Sequence, residues 1–222
     1  MVSPTIVGGE KLTTDAQNPG AVHLVADWTP MACTGSLIGK RWVLTARHCV
    51  DEEGGYAQTP KGVVAGTIAM GGAKLIATRR VFLAPDGDTA LIQLASDAAG
   101  KVLPYASNRV PLNKEVLEYG WGWTSPTEGV SPVLKMARAK TIRYADNFEF
   151  ERGKDVVAKG ITGSTWSGDS GGPLIYQGVL VGNTSGGLQD GKTITAETQF
   201  AMTSQNAAWI RKTTGIAGVI VS

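Results

Sequence analysis

The sequence predicts an all-β protein, a barrel or sandwich, and three observations carry that expectation. Short apolar runs recur along the chain: AVHLVADW, TGSLIG, RWVLTA, GVVAGTIAM, TALIQLA, EVLEYGWGW and GPLIYQGVLVGNT. They are rich in Val, Ile, Leu, Thr or Trp, and turn-forming clusters such as NPG, DEEGG, PDGD and QDGK separate them. Glycine is abundant, 29 of 222 residues, which favours many tight turns over long helices.

Taken in order, the runs fall into two halves of similar size, each with room for about six strands. The stretch KVLPYASNRVP (101–111), with two prolines and little continuous apolar sequence, reads as the connection between them. One segment breaks the pattern. In SQNAAWIRKTTG (204–215), Ser204 reads as an N-cap, Ala207, Ala208 and Ile210 as helix-compatible apolar residues, and Gly215 as the stop. A short C-terminal helix is expected there.

Composition narrows the function. Hydrophobic residues at 42% against charged residues at 18% argue against a disordered chain. A formal charge of +2, with scattered Lys and Arg, gives no basis for a nucleic-acid or membrane-surface partner. No apolar run approaches the roughly 18 residues of a membrane span.

Three motifs carry chemistry. In SGDSGGPL (167–174) a glycine two residues before Ser170 lets the backbone turn so that successive N–H groups face one site, and two glycines after it permit close approach. A serine hydroxyl is a weak nucleophile and needs an adjacent base and donors for the oxyanion it creates. LTARHC (44–49) places His48 at the end of an apolar strand. The other histidine, His23, sits mid-strand and reads as structural. DGDTALIQL (86–94) offers the acceptor that a catalytic histidine needs. Asp88 directly precedes the apolar run and can be drawn beneath a strand, whereas Asp86 lies in the turn. Read alone, Cys33 and Cys49 are either two buried thiols or a bridge closing a loop of about 15 residues, worth on the order of 3 kcal/mol.

With these residues in place the chain resembles the trypsin-like serine peptidases of the chymotrypsin family, in a bacterial secreted form. The resemblance runs from IVGG (6–9) through CTGSLI (33–38), TARHC (45–49), DTALIQL (88–94), GWG (120–122) and GDSGGP (168–173) to AAWI (207–210). It implies two six-stranded antiparallel β-barrels followed by a C-terminal helix: residues 6–105 bearing His48 and Asp88, and 106–222 bearing Ser170. It also implies a nucleophile in Ser170, a general base and acid in His48, and an orienting carboxylate in Asp88. The backbone N–H groups of Gly168 and Ser170 would form the oxyanion hole, and Cys33 and Cys49 would pair in a disulfide that braces the histidine loop. That bridge implies an oxidising, extracellular compartment. An amine freed by cleavage before Ile6 would pair with Asp169 and order the Gly168 loop.

Departures from the family pattern concern specificity and activation. Trp166 stands where a cysteine is usual, four residues before the nucleophile, so the pocket lacks its bridge. Ser164 takes the pocket base, where trypsin has an aspartate and chymotrypsin a serine, and favours a neutral side chain. Thr198 falls in the opposite wall; a one-residue slip would bring Glu197 there and favour a basic one. Ser185 and Gly187 keep the positions of main-chain substrate partners, while Gly186 between them removes an aromatic wall and predicts weaker selectivity beyond the first pocket. No Asp or Glu occurs from Gly55 to Ala84, so no calcium site is expected, and no cofactor.

The expected function is a secreted serine endopeptidase acting through an acyl-enzyme on protein or peptide substrates, as a monomer. The alternatives are an esterase using the same triad and a catalytically silent binding homologue. Residues 1–5 read as a residual propeptide. A Thr5–Ile6 junction suits an activating peptidase that selects a bulky aliphatic residue after the cut, as thermolysin-like enzymes do. Intact at Met1, the chain is expected to be zymogen-like, with Ile6 unable to reach Asp169 and the Gly168 loop displaced.

Overall fold

The computed structural model describes residues 6–28, 33–52, 56–124, 127, 129–187 and 192–222. Residues 1–5, the expected propeptide tail, lie outside them. Six strands close a first barrel: β1 (Ala21–Val25), β2 (Thr34–Gly39), β3 (Trp42–Thr45), β4 (Gly62–Val64), β5 (Ile76–Leu83) and β6 (Ala90–Leu94). Six more form a second: β7 (Glu115–Gly120), β8 (Lys135–Asp146), β9 (Lys154–Gly160), β10 (Pro173–Tyr176), β11 (Val179–Gly187) and β12 (Glu197–Met202). Around the first the order is β1-β2-β3-β6-β5-β4; around the second it is β7-β8-β9-β12-β11-β10, and every pairing is antiparallel. The two halves therefore share one topology.

Burial explains why these segments are strands. Along β8, Lys135, Ala137, Ala139 and Thr141 are buried in alternation with more exposed neighbours, the period-two signature of a sheet with one face on a core. Val22, Leu24, Leu37, Val43 and Ile92 fill the first barrel; Val116, Val156, Leu174, Val181 and Phe200 fill the second. A third cluster, including Ile38, Leu44, Leu91, Tyr105, Trp121 and Ile210, draws residues from both halves and from the helix.

The chain passes from one barrel to the other between Leu103 and Ala106. The amide of Leu103 still bonds to Leu37, whereas those of Ala106 and Ser107 bond to Leu180 and Val219. The leading segment takes the other side: Val7–Gly8 pairs with Gly163–Ser164, and Glu10–Lys11 with Lys135–Met136 of the second barrel.

The C-terminal helix α1 spans Ala207–Thr214 and ends at Gly215, whose φ of 77° is left-handed. Its start differs from the expected Ser204, because Thr203–Asn206 form a 3₁₀ turn first. Eight residues are too few for an isolated helix to be stable. Burial of Ile210 and a hydrogen bond from the Tyr105 hydroxyl to the Ile216 carbonyl (2.9 Å) hold it.

Candidate active site

His48 sits in a 3₁₀ turn, Arg47–Cys49, at the end of β3. The Cys33–Cys49 disulfide anchors that turn, with a Cα–Cα distance of 6.2 Å. Asp88 ends the turn before β6 and is fully buried. Its Oδ1 accepts the His48 backbone N–H (2.9 Å) and its Oδ2 faces His48 Nδ1 (2.7 Å). A carboxylate can only accept here, so Nδ1 carries the proton and Nε2 presents its lone pair outward. Burial alone would lower the imidazole pKa, but the hydrogen bond and charge of Asp88, together with Glu149, outweigh it and raise it above 6.5. Asp86, by contrast, pairs with Arg152 at 2.7 Å, in the turn.

The second barrel clamps Asp88. Asn183 Nδ2 donates to the Asp88 carbonyl (2.9 Å) while its Oδ1 accepts from the Thr89 hydroxyl (3.1 Å). The register of β11 shifts between Thr184 and Gly186, and this bulge turns Ser185 so that its hydroxyl donates to Asp88 Oδ2 (2.7 Å).

Ser170 lies on the loop ahead of β10, stitched to the histidine side of the molecule. Its carbonyl accepts the Thr34 N–H (2.8 Å) and lies 3.7 Å from Cys49 Sγ, while the Gly168 carbonyl accepts the Thr34 hydroxyl (3.2 Å). Gly171 has φ of +79°, and a β-carbon there would overlap Thr45 Oγ1 and the Thr34 carbonyl, so no other residue fits. Asp169 is wholly buried; its Oδ1 and Oδ2 accept the N–H groups of Gly122 and Trp166, each at 2.8 Å. Burial pushes its pKa up to about 6, against the pull of those N–H groups and of the Lys135 charge.

Around the expected pocket, Ser164 is buried and its hydroxyl donates to the Thr193 carbonyl (2.9 Å). Thr165 and Thr198 join through their hydroxyls at 2.9 Å. Glu197 turns to the outer face and pairs with Arg143 at 2.8 Å. Gly186 and Gly187 continue β11, opposite Gln199 and Thr198. The wall beside Gly186 is not open, contrary to the sequence expectation: the Phe148 ring, from the loop after β8, occupies the space.

The trypsin family profile matches residues 6–210. The chain belongs to the trypsin family. It is therefore a serine endopeptidase of chymotrypsin-like fold. Serine protease SP24D of Anopheles gambiae is 32% identical over 80% of this chain and 69% of its own length, and rat tonin is 29% identical over 93% and 88%. Among solved structures, mouse neuropsin superposes with a TM-score of 0.74 at 26% identity, covering 92% of this chain and 98% of its own. Human heparin binding protein superposes with a TM-score of 0.75 at 20% identity, covering 97% and 100%, a likeness of fold.

Ile6 is fully buried, and Val7–Gly8 pairs with Gly163–Ser164. Beneath it is a residue that sequence reading passed over. Lys135, buried at the start of β8, donates to the carbonyls of Gly8 (2.7 Å) and Ile6 (3.4 Å), and its charge acts on Asp169. Glu118, buried nearby on β7, has its pKa raised well above the ordinary value by burial and by the Asp169 charge.

Three further polar residues surround the Asp88–Ser185 contact without a motif to announce them. Asn183 ends the apolar run GVLVGN, Asn147 follows β8, and Asp155 lies on β9, fully buried. A polar residue inside an apolar strand is the one signal available for the first and last, and it does not say what the residue faces.

Proposed function

We propose that this peptidase is secreted and cleaves peptide bonds with Ser170 as nucleophile, His48 as base and acid, and Asp88 as the carboxylate that orients His48. The observation that carries the reading is the 2.7 Å contact of His48 Nδ1 with buried Asp88, which leaves Nε2 as the free base. Ser170 Oγ attacks the scissile carbonyl carbon as Nε2 takes its proton; the carbonyl oxygen, now anionic, is received by the N–H groups of Gly168 and Ser170. The imidazolium, stabilised by Asp88, gives its proton to the leaving amine and the C–N bond breaks. Water then repeats the sequence on the acyl-enzyme, releasing the carboxylic acid and restoring Ser170.

Ser164 and Thr198 favour a neutral residue before the scissile bond, since the Glu197 carboxylate is engaged by Arg143 on the outer face. Ser185 and Gly187 would bond to the substrate main chain. Secretion is supported by the disulfide. Cleavage at Thr5–Ile6 would free an amine to join the buried Asp169, making the uncut chain a precursor of lower activity.

Fluorophosphonate labelling tests the assignment. Label should appear on Ser170, strengthen once residues 1–5 are removed, and vanish in Ser170→Ala and His48→Ala. Turnover of short acyl esters without cleavage of casein or any peptide amide would instead assign an esterase.

A further inference from the structure

Behind Asp88 lies a hydrogen-bond relay whose polarity is fixed at every joint. Asn147 Oδ1 accepts two backbone N–H groups, from Glu149 (3.0 Å) and Phe150 (2.8 Å). Both are donors, so the orientation of this amide is not a free choice: the oxygen must face them and the NH₂ must face the other way. There Nδ2 donates to Asp155 Oδ2 (2.9 Å) and to Ser185 Oγ (3.0 Å). With a lone pair of Ser185 Oγ thus taken, its one hydrogen goes to Asp88 Oδ2, at 2.7 Å. Asp155, fully buried, faces the amide from β9 and gives the second N–H hydrogen an acceptor. Every polar atom of the Asn147 side chain is used.

We propose that Asn147 and Asp155 are a positioning pair for the triad: they fix the Ser185 hydroxyl as a donor to Asp88 and tie that bond to the loop bearing Phe148. The inference rests on the triad assignment above. The loop of Phe148 and Glu149 borders the substrate side, next to Gly186 and within electrostatic reach of His48. One amide therefore holds that loop with its oxygen and the triad with its nitrogen.

Asn147→Asp separates these two duties. A carboxylate at 147 still accepts from Glu149 and Phe150, so the loop stays in place. The proton that two carboxyls this close share is held between positions 147 and 155, so nothing is donated to Ser185. The new carboxyl instead recruits the Ser185 hydrogen, turning a lone pair of Ser185 Oγ against Asp88 Oδ2. With a peptide amide substrate, kcat should fall about 10- to 100-fold, the scale of one hydrogen bond to a charged group, while KM stays within about 3-fold of the parent. Asp155→Leu removes the acceptor and should lower kcat in the same direction; Asp155→Asn, which can still accept, should restore it to within about 3-fold of the parent. A purely structural role would instead lower the melting temperature and leave kcat of the folded fraction unchanged. Parental kcat in folded Asn147→Asp overturns the proposal, as does parental kcat in folded Asp155→Leu. Should Asp155→Leu fail to fold, Asn147→Asp decides alone; should Asn147→Asp fail, the comparison of Asp155→Leu with Asp155→Asn decides. Ser170→Ala runs beside them: activity surviving there refutes the triad assignment itself, a different failure.

Discussion

Phe148 stands against Gly186: a β-carbon built on the glycine would lie 2.5 Å from the Phe148 Cζ. The glycine leaves a gap along β11, and the ring from a neighbouring loop closes it. The aromatic surface is there, supplied from elsewhere in the chain. Phe148 is nonetheless 62% exposed, so a substrate can cover it. Phe148→Ala should raise KM about 3- to 10-fold for peptides with apolar residues upstream of the scissile bond, the worth of part of a buried ring. Turnover at saturation should stay within about 2-fold. Library profiling of parent and variant would show the upstream apolar preference lost.

The acid limb of kcat/KM should follow His48. Against the pull of burial its pKa is raised, chiefly by Asp88, so the midpoint of the limb should lie on the alkaline side of a free imidazole's. Glu149 contributes to the raising through its charge. Glu149→Gln should move the limb to lower pH with little change in the plateau, because it removes a screened charge and no contact with the base. Asp88→Asn should cost about 10⁴ in turnover, as in comparable triads, whereas Asp86→Asn should leave turnover near the parent. A pH–rate profile of each variant checks both points.

Asp155 makes stability depend on pH. Burial, with the Asp88 and Asp146 charges beside it, pushes its pKa from 3.8 to about 7, although the Asn147 hydrogen bond pulls the other way. Between these values the folded protein keeps a proton that the unfolded chain has released, so stability falls as pH rises from about 4 to 7 and levels off above. The full effect is on the order of 4 kcal/mol. Asp155→Asn removes it, so the melting temperature of the variant relative to the parent should climb between pH 4 and pH 8. A constant difference across that range would count against the shift.

Lys135 places a cation under the Ile6–Gly8 backbone and within reach of the buried Asp169 carboxyl. Lys135→Met preserves much of the volume but loses the charge and both hydrogen bonds. Loss of a buried partner of this kind costs about 3 kcal/mol. Urea unfolding should report a destabilisation of that size, and the Asp169 pKa should rise further.

The strands most legible in the sequence are those with two buried faces. TGSLIG and TALIQLA are almost wholly enclosed and read as plain apolar runs. β5 (IATRRVFL) and β8 (KMARAKTIRYAD) are strands as well, yet they carry Arg and Lys on a solvent face, and their charges mask the alternation. At the site, short motifs announce His48, Asp88 and Ser170 because tight turns and close approach leave few permitted residues. Asn147, Asn183 and Lys135 have no such signature, since the partners that matter are distant in sequence and only folding brings them together. Asn147 meets Ser185 across a separation of 38, Asn183 meets Asp88 across 95 and Lys135 meets Ile6 across 129, and Asp155 joins them only through Asn147. Gly186 misled for the same reason: nothing local tells that Phe148 covers it.

Asp88 belongs to one barrel, and the residues that clamp it, Asn183 and Ser185, belong to the other. A small slip along the seam would thus unset the Asp88 carboxylate while leaving each half with its own interior. Under mild denaturant, enzymatic activity should therefore fade before the circular dichroism of either sheet does, which makes turnover a gauge of how well the two halves are seated.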